Sequence, residues 1–276
     1  MKSAMKIYSV VTGASQGLGL SFAEELASKG KNLIIVALPN EGLGKIASRL
    51  SAKNNVAIEC YETDFSKQNS VYEFAEWVNA NFRVDTLINN VGIGGTDSFT
   101  ETAAEYLDAI IHINVRTVSI LTRLLLENLK QQNQSYILNI ASMASFSPIP
   151  FKTVYPASKA FVYFFSRTLH EELRGTNVFV SVIHPGPMMT NETVSKSIVR
   201  QGIVGKMGLI PTPRIAKIAI RQLYRRDSLI IPGFLNKITW IIMKILPIWF
   251  HLYVGGTLTR REFETRHQPA ESHVMV

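Results

Sequence analysis

Apolar runs alternate with helical patterns almost to the end of this chain, and that alternation restricts the fold more than any other feature. Residues 7–11, 31–38, 56–61, 86–90, 136–140, 178–183 and 229–231 are short runs dominated by Val, Ile and Leu. Between them lie stretches with apolar residues three and four apart: 22–30, 42–50, 70–82, a long one at 103–131 expected to break near Asp108, one opening at Val154, and 212–226. Strands buried on both faces read as continuous apolar runs, and parallel neighbours need a crossover that is usually a helix. The pattern therefore predicts an α/β fold, a parallel sheet with helices on both faces.

The first strand ends in Thr12-Gly13-Ala14-Ser15-Gln16-Gly17-Leu18-Gly19, and a helix follows at once. Glycines let a backbone approach a pyrophosphate, while exposed N–H groups and the dipole of a helix start favour its charge. The spacing is Gly-x-x-x-Gly-x-Gly, not the Gly-x-Gly-x-x-Gly of the familiar dinucleotide fingerprint. At the end of the second strand stand Ala37, Leu38 and Pro39. They supply neither an acid for ribose hydroxyls nor a base for a 2′-phosphate. Asp64-Phe65 forms the polar end of the third strand, and the fourth closes on Asn89-Asn90-Val91-Gly92.

Residues 134–174 hold the chemistry: a strand ending at Ala141-Ser142, a loop with prolines, then Val154-Tyr155-Pro156-Ala157-Ser158-Lys159 at a helix start. Four helical residues apart, Tyr155 and Lys159 can aim a phenol and an ammonium at one volume, where the cation would favour the phenolate. Ser142 could hold a carbonyl beside them. Alone, a Tyr-x-x-x-Lys pair reads as a surface lysine next to a core tyrosine, and only the other motifs make it more. Asn114 in the long helix reads either as a buried polar bracket or as a water-holding residue, because a buried amide must be hydrogen-bonded. His112 reads as structural, His170 as part of a solvated helix end, and the stripe Phe161, Phe164, Phe165, Leu169 as core packing. Residues 188–212, with loosened periodicity and several glycines, read as a mobile lid.

One cysteine, Cys60, excludes an intrachain disulfide, and its strand setting suggests a packed thiol. The net charge is +8, but basic residues are scattered and no zinc, helix-turn-helix or RNA-binding signature appears, so neither metal nor nucleic acid is expected. The N-terminal run passes straight into turn signals, which argues against a cleaved signal peptide. Charged residues are 18% of the chain, below the usual ~25%. That hint returns in residues 234–254, an apolar run interrupted by Lys237, Lys244, Pro247 and His251. Those interruptions disfavour a spanning helix. Trp240, Trp249, Tyr253, Arg260 and Arg261 suit an interfacial membrane contact; packing over the site mouth or against a second subunit is the alternative.

The motif order (the glycine turn, Asp64, Asn89-Asn90-Val91-Gly92, Asn114, Ser142, Tyr155-x-x-x-Lys159, Pro185-Gly186) resembles the short-chain dehydrogenase/reductase family over roughly residues 5–232. The resemblance implies a doubly wound Rossmann-type catalytic domain over 1–232 and an apolar helical extension with a tail over 233–276. It implies a nicotinamide cofactor, with Tyr155 as proton donor or acceptor, Lys159 binding the nicotinamide ribose and lowering the phenol pKa, Ser142 positioning the carbonyl and Asn114 holding a water. Gly13, Ser15, Gln16, Gly17, Leu18 and Gly19 would line the pyrophosphate side, Leu38, Asp64 and Phe65 the adenosine, Asn90 and Gly92 its ribose side, and Pro185, Gly186, Met188 and Thr190 the nicotinamide. Leu38 and Gln16 replace basic residues common in the NADP-preferring branch. The missing acid still favours NADP(H), with NAD(H) as the alternative. Asn90-Val91-Gly92, the run from Ala157 to Val162 and Leu169-His170-Glu171-Glu172 are similar to hydroxysteroid dehydrogenases and very-long-chain 3-oxoacyl reductases, which implies an apolar ketone or alcohol as substrate. The competing readings are an NAD-dependent dehydrogenase of a small polar alcohol and a catalytically silent cofactor-binding regulator. A cytoplasmic, membrane-touching homo-oligomer is expected.

Overall fold

The computed structural model describes residues 6–95, 98–188 and 209–267. Its strands are β1 (Ile7–Thr12), β2 (Asn32–Ala37), β3 (Ile58–Glu62), β4 (Arg83–Asn89), β5 (Ser135–Ile140), β6 (Val178–Ile183) and β7 (Leu229–Ile230). They form one seven-stranded sheet in the order β3-β2-β1-β4-β5-β6-β7, with every pairing parallel. The order reverses between β1 and β4, so the loops after these two strands diverge and leave a crevice at the sheet's C-terminal edge.

Helices cover both faces because each presents an apolar stripe to the sheet. On one side α1 (Gly17–Ser28), α2 (Leu43–Asn54) and α7 (Thr212–Tyr224) bury Phe22, Leu26, Leu43, Leu50, Ile220 and Leu223. Opposite them, α3 (Ser70–Asn81) and α5 (Val118–Lys130) bury Phe74, Val78, Leu121, Leu125 and Leu129. Beside β6, α6 (Val154–Glu172) buries Val162 against Val182. Full burial of such side chains is worth about 1.5–3 kcal/mol each, which makes these two layers the main source of stability.

The long helix expected at 103–131 does not break at Asp108. It runs as α4 (Ala104–Ile111) into a π-helical turn, His112–Thr117, and on into α5. Thr117 Oγ1 donates to the carbonyl of His112 at 3.0 Å, a side-chain bond that accompanies the widened turn. Such bulges cluster at functional sites, and this one carries Asn114. Cys60 is also not the packed residue its strand pattern suggested. It is exposed on β3, at the sheet edge, and partial desolvation followed by the carboxylates of Glu59 and Glu62 raises its thiol pKa, which keeps it an unreactive thiol.

The apolar C-terminal run forms two helices, α8 (Phe234–Ile245) and α9 (Ile248–His267), separated at Leu246-Pro247 where proline cannot continue the first. Among the described residues, the stretch with the length and hydropathy to cross a membrane is instead Ala104–Lys130, and its buried face packs on the sheet as a core helix does.

Candidate active site

Three backbone features build the crevice at β1. Gly13 and Gly17 take φ of +66° and +58°, in the left-handed region that glycine enters without strain. A Cβ on Gly19 would lie 1.9 Å from the Gly13 carbonyl oxygen, so only glycine fits the close approach of α1 to the turn. Asn90 clamps the arrangement: its Nδ2 donates to the carbonyls of Thr12 (2.9 Å) and Gly13 (3.1 Å), while Thr12 Oγ1 accepts the backbone N–H groups of Asn90 and Val91, both at 3.0 Å. Gln16 is exposed and gives α1 no side-chain cap, which leaves the helix-start N–H groups open to an anion. Leu18 points into the core at 4% exposure. The cradle fits the pyrophosphate of a dinucleotide.

At the adenosine end Leu38 is exposed beside Pro39, and Thr63 N donates to the Ala37 carbonyl at 2.9 Å, which brings Asp64 to the end of β2. Asp64 Oδ1 accepts the Ser66 N–H at 2.9 Å, and Phe65 is buried at 3%. The carboxylate absent from positions 37 and 38 arrives from further along: Ser15 Oγ donates to Glu41 Oε2 at 2.5 Å. Left-handed Asn40 (φ +68°) and Gly42 (φ +73°) flank Glu41 and turn it back. Acid-scanning at the strand end misses it; an Asn-x-Gly turn signal was the available clue.

The polar cluster lies across β4, β5 and α6. α6 begins at Val154, which places Pro156 in the first turn, where a missing N–H costs nothing. Lys159 is buried at 6% exposure; its Nζ donates to the Ile140 carbonyl at 2.9 Å and stands 5.9 Å from the Tyr155 ring centre. Ser142 Oγ accepts the Ala144 N–H at 3.1 Å, so its own proton is free for the Tyr155 oxygen to which it is hydrogen-bonded. Asn114 brackets the loop after β4: Oδ1 accepts Ile93 N–H at 2.9 Å, and Nδ2 donates to the Ile93 carbonyl (2.8 Å) and Ser158 Oγ (3.0 Å). Gly92 and Gly94 let this loop lie against the cluster. A Cβ on Gly92 would sit 3.1 Å from Lys159 Nζ and 3.2 Å from Asn114 Oδ1, and one on Gly94 only 2.4 Å from the Tyr155 ring. Gly94 was not singled out in the sequence, since one glycine of a Gly-x-Gly-Gly loop carries no separate signal.

Pro185, Gly186 and Met188 follow β6 on the same edge, with Gly186 packed against Asn236 of α8. Thr190 and most of the expected lid at 188–212 lie outside the described residues. His170, expected at a solvated helix end, instead has Nδ1 3.1 Å from the Val180 carbonyl and packs edge-on to Phe179.

The electrostatics differ from the simple cation–phenol picture. Burial raises the Tyr155 pKa, opposed by the Ser142 hydrogen bond, because the oxygen is enclosed although the residue as a whole is only partly covered. Burial lowers Lys159 to about 8. Without a ligand, desolvation outweighs any pull of the ammonium on the phenol. The unfolded chain binds the Lys159 proton up to the ordinary value of 10.5, the folded chain only to about 8, so this group adds stability as pH rises through that window. The melting temperature of cofactor-free protein, taken relative to Lys159→Met, should therefore climb between pH 8 and 10.5. A flat difference contradicts the buried, depressed lysine.

A doubly wound parallel sheet with a glycine cradle at its switch point is the architecture of dinucleotide-binding proteins. The chain belongs to the short chain dehydrogenase family, whose description matches residues 8–199. It is 34% identical over 184 residues to the very-long-chain 3-oxoacyl-CoA reductase of Rattus norvegicus (64% of this chain, 58% of that protein). To the 17-beta-hydroxysteroid dehydrogenase type 3 of Homo sapiens it is 31% identical over 192 residues (69% and 62%). The match thus spans less than two thirds of these relatives' lengths. Among solved structures it resembles a short-chain dehydrogenase from Sphingobium yanoikuyae in complex with NADPH (TM-score 0.74, 26% identity, 88% of this chain and 97% of that one). It also resembles a short chain dehydrogenase/reductase from Burkholderia phymatum in complex with NAD (TM-score 0.75, 25% identity, 87% and 93%).

Proposed function

We propose that the protein is an oxidoreductase interconverting an apolar ketone and its secondary alcohol with a nicotinamide dinucleotide. The observation that carries this reading is the enclosed Tyr155 oxygen, bonded to Ser142 and backed by Lys159, beside a glycine cradle that fits a pyrophosphate. The bound cofactor supplies the hydride. Tyr155 gives the proton to the ketone oxygen, or takes it from the alcohol, as general acid or base. Ser142 directs its hydroxyl at the same oxygen, Lys159 holds a positive charge behind the phenol, and Asn114 fixes the Gly92–Gly94 loop that forms the wall.

An apolar substrate is supported by a recess beside Tyr155 whose lining includes Phe99, Leu107, Ile110 and Phe151 as well as Thr102 and Lys152, and by what the curated relatives are named for. Purified protein offered each reduced cofactor with 3-oxoacyl, steroid, sphingoid and small polar ketones should turn over the apolar ones. Activity confined to small polar ketones overturns the substrate assignment.

The NADP(H) preference expected from the sequence rested on the absence of an acid at 37 and 38. Glu41, hydrogen-bonded to Ser15, would oppose a 2′-phosphate bound beside it, so NADP(H) would have to displace that carboxylate and NAD(H) would not. Glu41→Gln should raise NADPH affinity and kcat/KM about tenfold, the value of ~1.4 kcal/mol of removed repulsion, and leave NADH nearly unchanged. Equal changes for both cofactors would show that Glu41 does not read the 2′ position.

Membrane contact and self-association rest on exposed apolar surface. On α8 and α9, Phe234 (77% exposed), Ile245 (76%) and Trp249 (67%) stand out with Lys237 and Lys244, and no acidic residue occurs from 234 to 261. That composition fits an anionic lipid surface. Phe164 (64%) on α6 fits a second copy. Sedimentation alone and with anionic liposomes at low salt tests both: a sedimenting dimer or larger supports the second, co-pelleting with liposomes the first, and a monomer that ignores liposomes removes both.

A further inference from the structure

His184 is the residue before Pro185, fully buried at 0% exposure, and none of the roles assigned above uses it. Its ring lies 4.4 Å from that of Phe146 and 5.0 Å from that of Tyr163. Nδ1 is 3.0 Å from the main-chain carbonyl of Ser142 and 2.8 Å from Ser145 Oγ. Ser145 Oγ spends its one proton on the same Ser142 carbonyl, at 2.5 Å. With that proton committed, Ser145 can only accept from the ring, and a carbonyl can only accept, so Nδ1 carries the hydrogen. Three donors therefore converge on one carbonyl oxygen, because the Ser145 backbone N–H also bonds it at 3.0 Å.

The cost of this arrangement is visible at the other nitrogen. Nε2 is buried with no hydrogen-bond partner among the described residues. A buried unpaired acceptor is destabilising, and a merely space-filling position would be served better by a phenyl ring. Burial also holds the ring neutral, with its pKa pushed down to about 4, which preserves the single-hydrogen form. The segments it joins are already zipped past their strand ends, Ala141 N to the Ile183 carbonyl (2.9 Å) and Met143 N to the Pro185 carbonyl (3.0 Å). Met143 N–H shares its peptide plane with the Ser142 carbonyl, so that plane is already oriented by backbone bonds, and the His184 ring adds a side-chain donor from the β6 loop that holds the carbonyl end of it.

We propose that His184 is a positioning residue of the site: its Nδ1–H, added to the N–H and Oγ–H of Ser145, locks the Ser142 carbonyl and so aims the Ser142 hydroxyl at the reacting oxygen. This rests on the reading of Ser142 given above. Two substitutions separate the hydrogen bond from packing. Asparagine places an amide N–H close to where Nδ1 stands but has no ring, whereas phenylalanine keeps the ring and loses the donor.

The test is kcat, cofactor Kd and melting temperature for His184→Asn, His184→Phe, Ser145→Ala and Ser142→Ala. Misplacement of a reacting group by about 1 Å costs up to ~100-fold. His184→Phe should accordingly lose about 10–100-fold in kcat with cofactor Kd unchanged, while His184→Asn stays within about threefold of wild type. If His184→Phe does not fold, Ser145→Ala carries the test with a smaller kcat loss, again at unchanged Kd. Full activity in His184→Phe, or equal losses in the Asn and Phe variants, overturns the inference, as does an unimpaired Ser145→Ala. If Ser142→Ala itself retains full turnover, the reading of the site fails rather than the positioning role alone.

Discussion

Tyr155→Phe should lower turnover of the best ketone by about 10²–10⁴-fold, the usual worth of a positioned general acid. Cofactor affinity should scarcely change. The substitution removes one oxygen from an enclosed cluster and keeps the ring that packs against Gly94. The hydroxyl of Ser142 remains, but without the phenol there is no acid in reach: Lys159 Nζ is engaged with the Ile140 carbonyl, and Asn114 is committed to Ile93 and Ser158. Loss of kcat and kcat/KM together marks an interaction realised in the transition state. A variant that reduces ketones at wild-type rate removes Tyr155 from the chemistry.

Gly19→Ala should act on the other half of the site. The added carbon would meet the Gly13 carbonyl oxygen at 1.9 Å and Asn90 Nδ2 at 2.5 Å. The first of these is backbone and cannot rotate away, so α1 or the turn must shift. Overpacking of this kind costs about 1–3 kcal/mol, and an equal loss in cofactor binding is roughly 5–150-fold in Kd. Titration of the variant with NADH and NADPH measures it directly. Wild-type affinity in Gly19→Ala means the glycine turn does not hold the cofactor.

The strands were legible because buried parallel strands carry unbroken apolar runs, and the starts of α1 and α6 because a glycine turn and Pro156 mark them. Sheet order was not, and Cys60 shows the consequence. An apolar-flanked cysteine reads as packed until β3 proves to be an edge strand. The π turn at 112–117 escaped because one extra residue per turn leaves helix propensity and periodicity nearly intact. Residues 234–254 were correctly unusual, yet hydropathy alone does not locate the division at Leu246-Pro247, nor place Asn236 against Gly186.

Within the site, the expected Ser142, Tyr155 and Lys159 come together, and Asn114 stands beside them, bonded to Ile93 and Ser158. Their spacing along the chain carried that information. Glu41 and His184 did not announce themselves, because each reaches its partner through tertiary geometry. Glu41 depends on a backward turn of the chain, and His184 on the register between the loops after β5 and β6.

The most direct test of the whole account is the fate of a deuterium label carried on the reduced nicotinamide. With wild-type protein and an apolar ketone, the label should appear on the carbinol carbon of the alcohol, one per cofactor oxidised, and Tyr155→Phe should slow that transfer severely while still binding cofactor. Cofactor bound tightly with no label transferred to any ketone would contradict it and leave a binding protein rather than an enzyme.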